Sequence, residues 1–75
     1  MAEWILTKIK RHLLSIEAKP DFLYVGEEDY NDLIWELENA PVEYSVVPPY
    51  LFILGIEVVQ VKRERYLQIG YKNEL

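Results

Sequence analysis

Among the 75 residues there is no cysteine, and that absence narrows the folding options more than any other feature. Disulfides and thiolate metal sites, two common staples of small domains, are excluded. The core must therefore close by apolar packing, and a chain of this length buries only a modest fraction of its surface. The material for such a core is present: 51% of the residues are hydrophobic and six are Tyr, too apolar for a disordered tail. We read residues 1–75 as a single domain. A homodimer would supplement its thin core. The lack of thiols fits a reducing compartment, so a cytoplasmic location is expected.

No membrane association is expected. The first residues have no basic segment leading into an apolar run and a small-residue cleavage site, so they do not read as a signal peptide. The longest apolar stretch, Val46 to Ile56, is too short to span a bilayer and contains Pro48-Pro49. The terminal Lys72-Asn73-Glu74-Leu75 resembles an endoplasmic-reticulum retention tail, which has no use without a leader.

Residues 2–18 read as an amphipathic helix. Ile5, Leu6, Ile9, Leu13 and Ile16 fall within an arc of about 100°, the width of a core-facing stripe. Pro20 ends it by pushing Lys19 out of helical angles. Phe22 to Val25 has strand-type residues at both parities, which predicts a strand buried on both faces. Gly26 can cap the helix that follows, with Glu27, Glu28 and Asp29 in its first turn, where the dipole favours anions. That helix spans 27–38, with Tyr30, Leu33, Ile34 and Leu37 at i, i+3, i+4 and i+7, and Asn39-Ala40-Pro41 stops it. Residues 42–47 alternate as a strand, and Pro48-Pro49 breaks it or holds it on a sheet edge. Tyr50 to Leu54 and Gly55 lead into a strand over Ile56–Val61, which is expected to form a hairpin with 66–71 across Lys62–Arg65. The order α-β-α-β-β-β predicts an α+β fold: two amphipathic helices on one face of a three- to four-stranded, mostly antiparallel sheet.

The inventory for chemistry is poor. His12 is the only conventional base, one Thr and two Ser complete the hydroxyl set beside the tyrosines, and nothing pairs Ser15 and His12 with an oxyanion hole. Gly26, Gly55 and Gly70 are isolated, so no phosphate-cradling loop occurs. No second His or Cys completes a transition-metal site. Asp29, Asp32 and Glu36 match no calcium loop, because a straight helix cannot wrap an ion. Pro48-Pro49-Tyr50 lacks the spacing of a proline-rich ligand and reads as a rigid bend. We therefore expect no enzyme, no catalytic residues, no cofactor and no metal.

Charge is more informative. Net charge is −5. Residues 20–44 carry eight acids and no base, while 1–19 and 45–75 carry four bases each. On the second helix Asp29, Asp32 and Glu36 lie within about 60° of one another, with Glu28 beside them. Glu28–Asp32 and Asp32–Glu36 are like-charge i,i+4 pairs, and Glu36 and Glu38 sit at the wrong end for the dipole. A helix optimised only for stability would carry bases there. Trp35 projects from the polar side. Glu28, Asp29, Asp32, Trp35 and Glu36 are thus the expected contact set for a protein partner with a basic surface. Two plainer accounts compete: a solvated face, or neutralisation within the fold by Lys8, Lys10, Arg11 or the bases of the hairpin link.

A second candidate surface gathers Trp4, Lys8 and Arg11 from the first helix with Arg63 and Arg65 from the link. Aromatic and basic groups together suit stacking and phosphate contacts. The competing accounts have Trp4 stacked on Lys8 within the helix or packed on a neighbouring subunit. The acidic balance argues against a nucleic-acid binder.

The run Phe22-Leu23-Tyr24-Val25-Gly26-Glu27-Glu28, the helix with Leu33, then Leu54-Gly55-Ile56-Glu57-Val58-Val59-Gln60-Val61 and Tyr66-Leu67-Gln68-Ile69-Gly70 together resemble short uncharacterised proteins of bacteriophages and prophages. The likeness covers roughly two-thirds of the chain, leaving out the first helix and the Pro-Pro bend. It brings no catalytic residues. It implies a small viral accessory protein, in the host cytoplasm, that inhibits a host protein or assembles into particles. The sequence thus points to a non-enzymatic binding module that presents an acidic helix, able to block a nucleic-acid-binding host factor such as a CRISPR effector. The alternatives are a self-associating structural or virion-assembly protein and a small nucleic-acid-binding regulator.

Overall fold

The structure, a computed structural model, describes residues 4–72; the four-residue tail resembling a retention signal lies almost wholly outside them. Helix α1 spans Ile5–Leu14, shorter than the expected 2–18, of which residues 2 and 3 also lie outside the description. Its end is local chemistry. The Ser15 N–H and hydroxyl both donate to His12 O, at 3.2 and 2.8 Å, which closes the last turn and competes with continuation. Ile16, expected on the core stripe, is left beyond the helix, half-buried.

Strand β1 (Phe22–Val25) leads through Gly26 into α2 (Glu27–Asn39), close to the expected bounds. Four strands follow: β2 (Tyr44–Val47), β3 (Tyr50–Ile53), β4 (Ile56–Gln60) and β5 (Leu67–Gly70). Tyr50–Ile53 is thus a strand in its own right. A two-residue turn, Leu54-Gly55, separates it from β4, with φ of 53° and 81°, the left-handed pair that a tight hairpin requires. Pro48-Pro49, joined by a cis peptide bond, forms the turn between β2 and β3.

The sheet is five-stranded and mixed, in the order β2-β3-β4-β1-β5. The class is α+β as expected, but the sheet is larger and not purely antiparallel: β1 pairs parallel with β4, Leu23 opposite Val58, and antiparallel with β5, Leu23 opposite Ile69. The expected β4–β5 hairpin does not form, because β1 lies between the two strands. Placing the apolar β1 inside satisfies both of its hydrogen-bonding edges. The link from Val61 to Tyr66 then has to cross the end of β1, over Gly26. There Gly26 N–H donates to Tyr66 O (2.9 Å), Glu27 N–H to Arg63 O and Glu28 N–H to Glu64 O (3.0 Å). A Cβ on Gly26 would lie 2.7–2.8 Å from backbone atoms of Arg63, Glu64 and Tyr66, so only glycine admits this approach.

The core forms on one face. Ile5, Leu6 and Ile9 of α1 and Leu33 and Leu37 of α2 pack on Leu23, Val25, Leu51, Ile53, Ile56 and Val58. The strands alternate between this face and a half-buried one. β1 is therefore buried on one face, not two: Phe22 and Tyr24 occupy the uncovered side, 6.1 Å apart between ring centroids. Among the described residues no helix is long and apolar enough to cross a membrane.

Candidate interaction surface

The acidic residues of α2 divide into two groups. Glu36 is 5% exposed, and both of its oxygens point at the start of α1. Ile5 N–H donates to Oε2 at 2.8 Å and Leu6 N–H to Oε1 at 2.9 Å. Trp4, the N-cap residue of α1, offers no side-chain acceptor, and the first turn of α1 has no acid. A helix start leaves orphan N–H groups and a partial positive charge. The carboxylate of a neighbouring helix satisfies both. The residue that looked misplaced for the dipole of α2 is well placed for that of α1.

Asp29 is also 5% exposed. Its Oδ2 accepts from Tyr66 N–H at 2.7 Å and its Oδ1 from Arg65 Nη1 at 2.8 Å, tying the crossing link to the first turn of α2. Arg65 reaches further: Nη1 lies 3.0 Å from Asp32 Oδ2 and Nη2 lies 3.2 Å from Glu28 Oε1. The guanidinium pKa rises above its ordinary value, chiefly through the hydrogen bonds to Asp29 and then Asp32. Three carboxylates converge on one cation, and two negative charges stay uncompensated within the cluster. Their oxygens already face a cation of the same chain. Among the described residues no group of three or more His, Asp or Glu could hold a metal ion.

Of the five expected contact residues, three are exposed: Glu28, Asp32 and Trp35. The structure gives Trp35 a neighbour. Its ring meets that of Trp4 edge to face, with centroids 5.7 Å apart. The rings come from α2 and from the cap of α1, and Glu36, next to Trp35 in sequence, ties the two helix segments together through the Ile5 and Leu6 N–H groups. Trp4 remains 41% and Trp35 56% exposed. Asn39 donates to Trp35 O at 2.8 Å, and Asp32, Asn31 and Glu38 line the same exposed side of α2.

The second candidate surface is divided. Arg65 is engaged with the α2 acids, Arg63 lies 5.2 Å from the centroid of Tyr66, and Arg11 has an interaction of its own. Trp4 is turned to Trp35. Lys8 is half-buried. His12 Nδ1 lies 2.8 Å from Lys8 O and Ser15 Oγ donates to His12 O, so the two side chains engage the helix backbone and not each other.

Among the bases expected to neutralise the α2 acids, Arg65 of the link is the one that the geometry places on Glu28, Asp29 and Asp32. The cap on α1 is not among the expected roles of Glu36. Its signal is that none of residues 1–6 is Ser, Thr, Asp or Asn, the usual side-chain caps, so an acceptor has to come from elsewhere.

No family model, curated protein or solved structure matches the chain.

Proposed function

We propose that this protein is a non-enzymatic protein-binding module whose contact surface is the Trp4–Trp35 pair with an acidic rim of Asp32, Glu28 and Glu38. The observation that carries this reading is the pair itself. Two indole rings held edge to face, each about half exposed, leave a large apolar area in water. Rigid aromatic anchors beside a polar rim are the usual make-up of an energetic centre in an interface. The rim is acidic, because one Arg65 faces three carboxylates. The partner it suits has an apolar pocket bordered by bases. Together with the likeness to small phage and prophage proteins, this fits an accessory protein that covers a basic surface of a host factor, including one used to hold nucleic acid.

The test is affinity capture from a host or source lysate at low and high salt, comparing wild type, Trp35→Ala and Glu28→Lys/Asp32→Lys. Glu36 is not a usable probe, since its substitution removes the cap of α1. A partner held by wild type, lost with Trp35→Ala and weakened by the Lys pair or by salt is the expected result. Capture of the same material by all three proteins removes the reading.

A further inference from the structure

Strand β2 forms an outer edge of the sheet, and all four of its residues are exposed. Tyr44 is 40%, Val46 56% and Val47 60% exposed. Tyr44 and Val46 share the face of their β3 partners Ile53 and Leu51, both buried under the helices; the helical layer does not reach out over β2. Ser45 and Val47 lie on the opposite face. Both sides of this strand and its free edge therefore meet solvent.

The parity of the β2–β3 ladder is fixed by Leu54 N–H donating to Glu43 O at 3.3 Å. Bonded pairs alternate in an antiparallel ladder, so Ser45 and Val47 bond to β3. Tyr44 and Val46 aim their N–H and C=O groups away from it. The other edge, β5, is half-buried over most of its length and flanked by Arg65 and Lys72, the charged flanks that discourage edge pairing. Residues 44–47 contain no charge and no proline.

We propose that two copies of this chain associate through β2, antiparallel about a two-fold axis at Ser45, and continue the sheet across the interface. The register follows from which donors are free. Tyr44 of one copy faces Val46 of the other, and each pair exchanges both N–H···O bonds. A shift one way sets Tyr44 against Pro48, which has no N–H. A shift the other way sets Val46 against Val42, whose N–H already donates to Ala40 O at 2.9 Å. Only the register centred on Ser45 gives every outward C=O of the strand a free N–H donor, and it puts the two donor-less positions, Val42 and Pro48, opposite each other.

Side chains agree with this register. Tyr44 lies directly beside a Val46, a favourable aromatic and β-branched pair. Glu43 faces Val47 and not its own copy. The two Glu43 residues are separated by about 13 Å along the strand, beyond the screening length of roughly 8 Å at physiological salt. The strand is self-complementary in hydrogen bonding, shape and charge, which selects a second copy over an unrelated strand. The shared area is smaller than the roughly 800 Å² per partner of a standard interface, so the dimer is reversible and depends on concentration.

Sedimentation velocity over a dilution series of the full chain tests the proposal, with hydrogen exchange at both ends of the series. Wild type is expected to move from monomer to dimer mass as concentration rises. The Tyr44 and Val46 amides gain protection in step, and those of Ser45 and Val47 do not change. Val46→Lys places a charge at the edge and is expected to remain monomeric with an unchanged circular dichroism spectrum. Val46→Pro removes one outward donor without touching the β2–β3 ladder and serves as the second variant. Trp35→Ala is expected to dimerise like wild type, which separates this surface from the Trp-bearing one. A wild type that stays monomeric throughout overturns the proposal. So does a Val46→Lys or Val46→Pro protein that folds and still dimerises as wild type does.

Discussion

Glu36 and Asp32 stand one helical turn apart on the same stripe of α2, yet they do different work. Glu36 is buried and accepts two backbone N–H groups that begin α1. Asp32 is exposed and shares Arg65 with two other carboxylates. Asp29 belongs with Glu36, since it is buried and holds the Tyr66 N–H. Glu28 belongs with Asp32. Identical chemistry at helical spacing thus contains two structural acceptors and two surface charges. The difference lies in what the carboxylate satisfies: an orphan donor removed from water, or a cation that water also solvates.

The largest effect is expected at Glu36. Replacement by Ala strands two N–H groups at the buried start of α1 and should cost about 2–4 kcal/mol in urea unfolding. Glu36→Gln keeps one acceptor and should fall between the Ala variant and wild type. If Glu36→Ala unfolds no more easily than Asp32→Ala, the distinction between the two acids collapses. Next is Asp29→Ala, which frees the Tyr66 N–H and loosens the crossing link, at about 1–3 kcal/mol. Amide exchange at Tyr66 should accelerate with it, and unchanged exchange there would place the anchor elsewhere.

Glu38 sharpens the contrast from the other side. It is exposed near the C-terminus of α2, where an acid opposes the dipole. Glu38→Lys should raise stability by about 0.3–1 kcal/mol, and a lower unfolding midpoint would show that its carboxylate has a structural role after all. The smallest effect belongs to Asp32→Lys. Arg65 retains Glu28 and Asp29, and an exposed ion pair contributes little, so the change should stay under about 1 kcal/mol. A larger loss would move Asp32 into the group of Asp29 and Glu36.

The helices were legible because Leu33 and Leu37, and Ile5 and Ile9, repeat at the spacing of one helical face, a local property. So was β1, bounded by Pro20 and Gly26. The Leu54-Gly55 turn was not, because Leu rarely adopts a left-handed φ and gives no turn signal; the residues before it, expected only to lead into the strand at 56–61, form β3. The hairpin expected between Ile56–Val61 and 66–71 failed for a different reason. A four-residue link can join neighbouring strands or pass over one strand, and nothing within the link distinguishes these outcomes. Gly26, forty residues before Tyr66 in the chain, holds the space that the link crosses.

By itself the sequence determined the class of fold, most of the core-facing residues of both helices, Ile16 excepted, and the concentration of acids on α2, because periodicity and composition are properties of short segments. Only the tertiary structure decided that β1 lies between β4 and β5, that Arg65 gathers three carboxylates, that Glu36 starts a helix other than its own, and that Trp4 meets Trp35. Each of these joins residues about thirty or more positions apart. A hydrogen-bond donor or a ring accepts any partner of suitable chemistry, and which one it meets is set by how the layers pack.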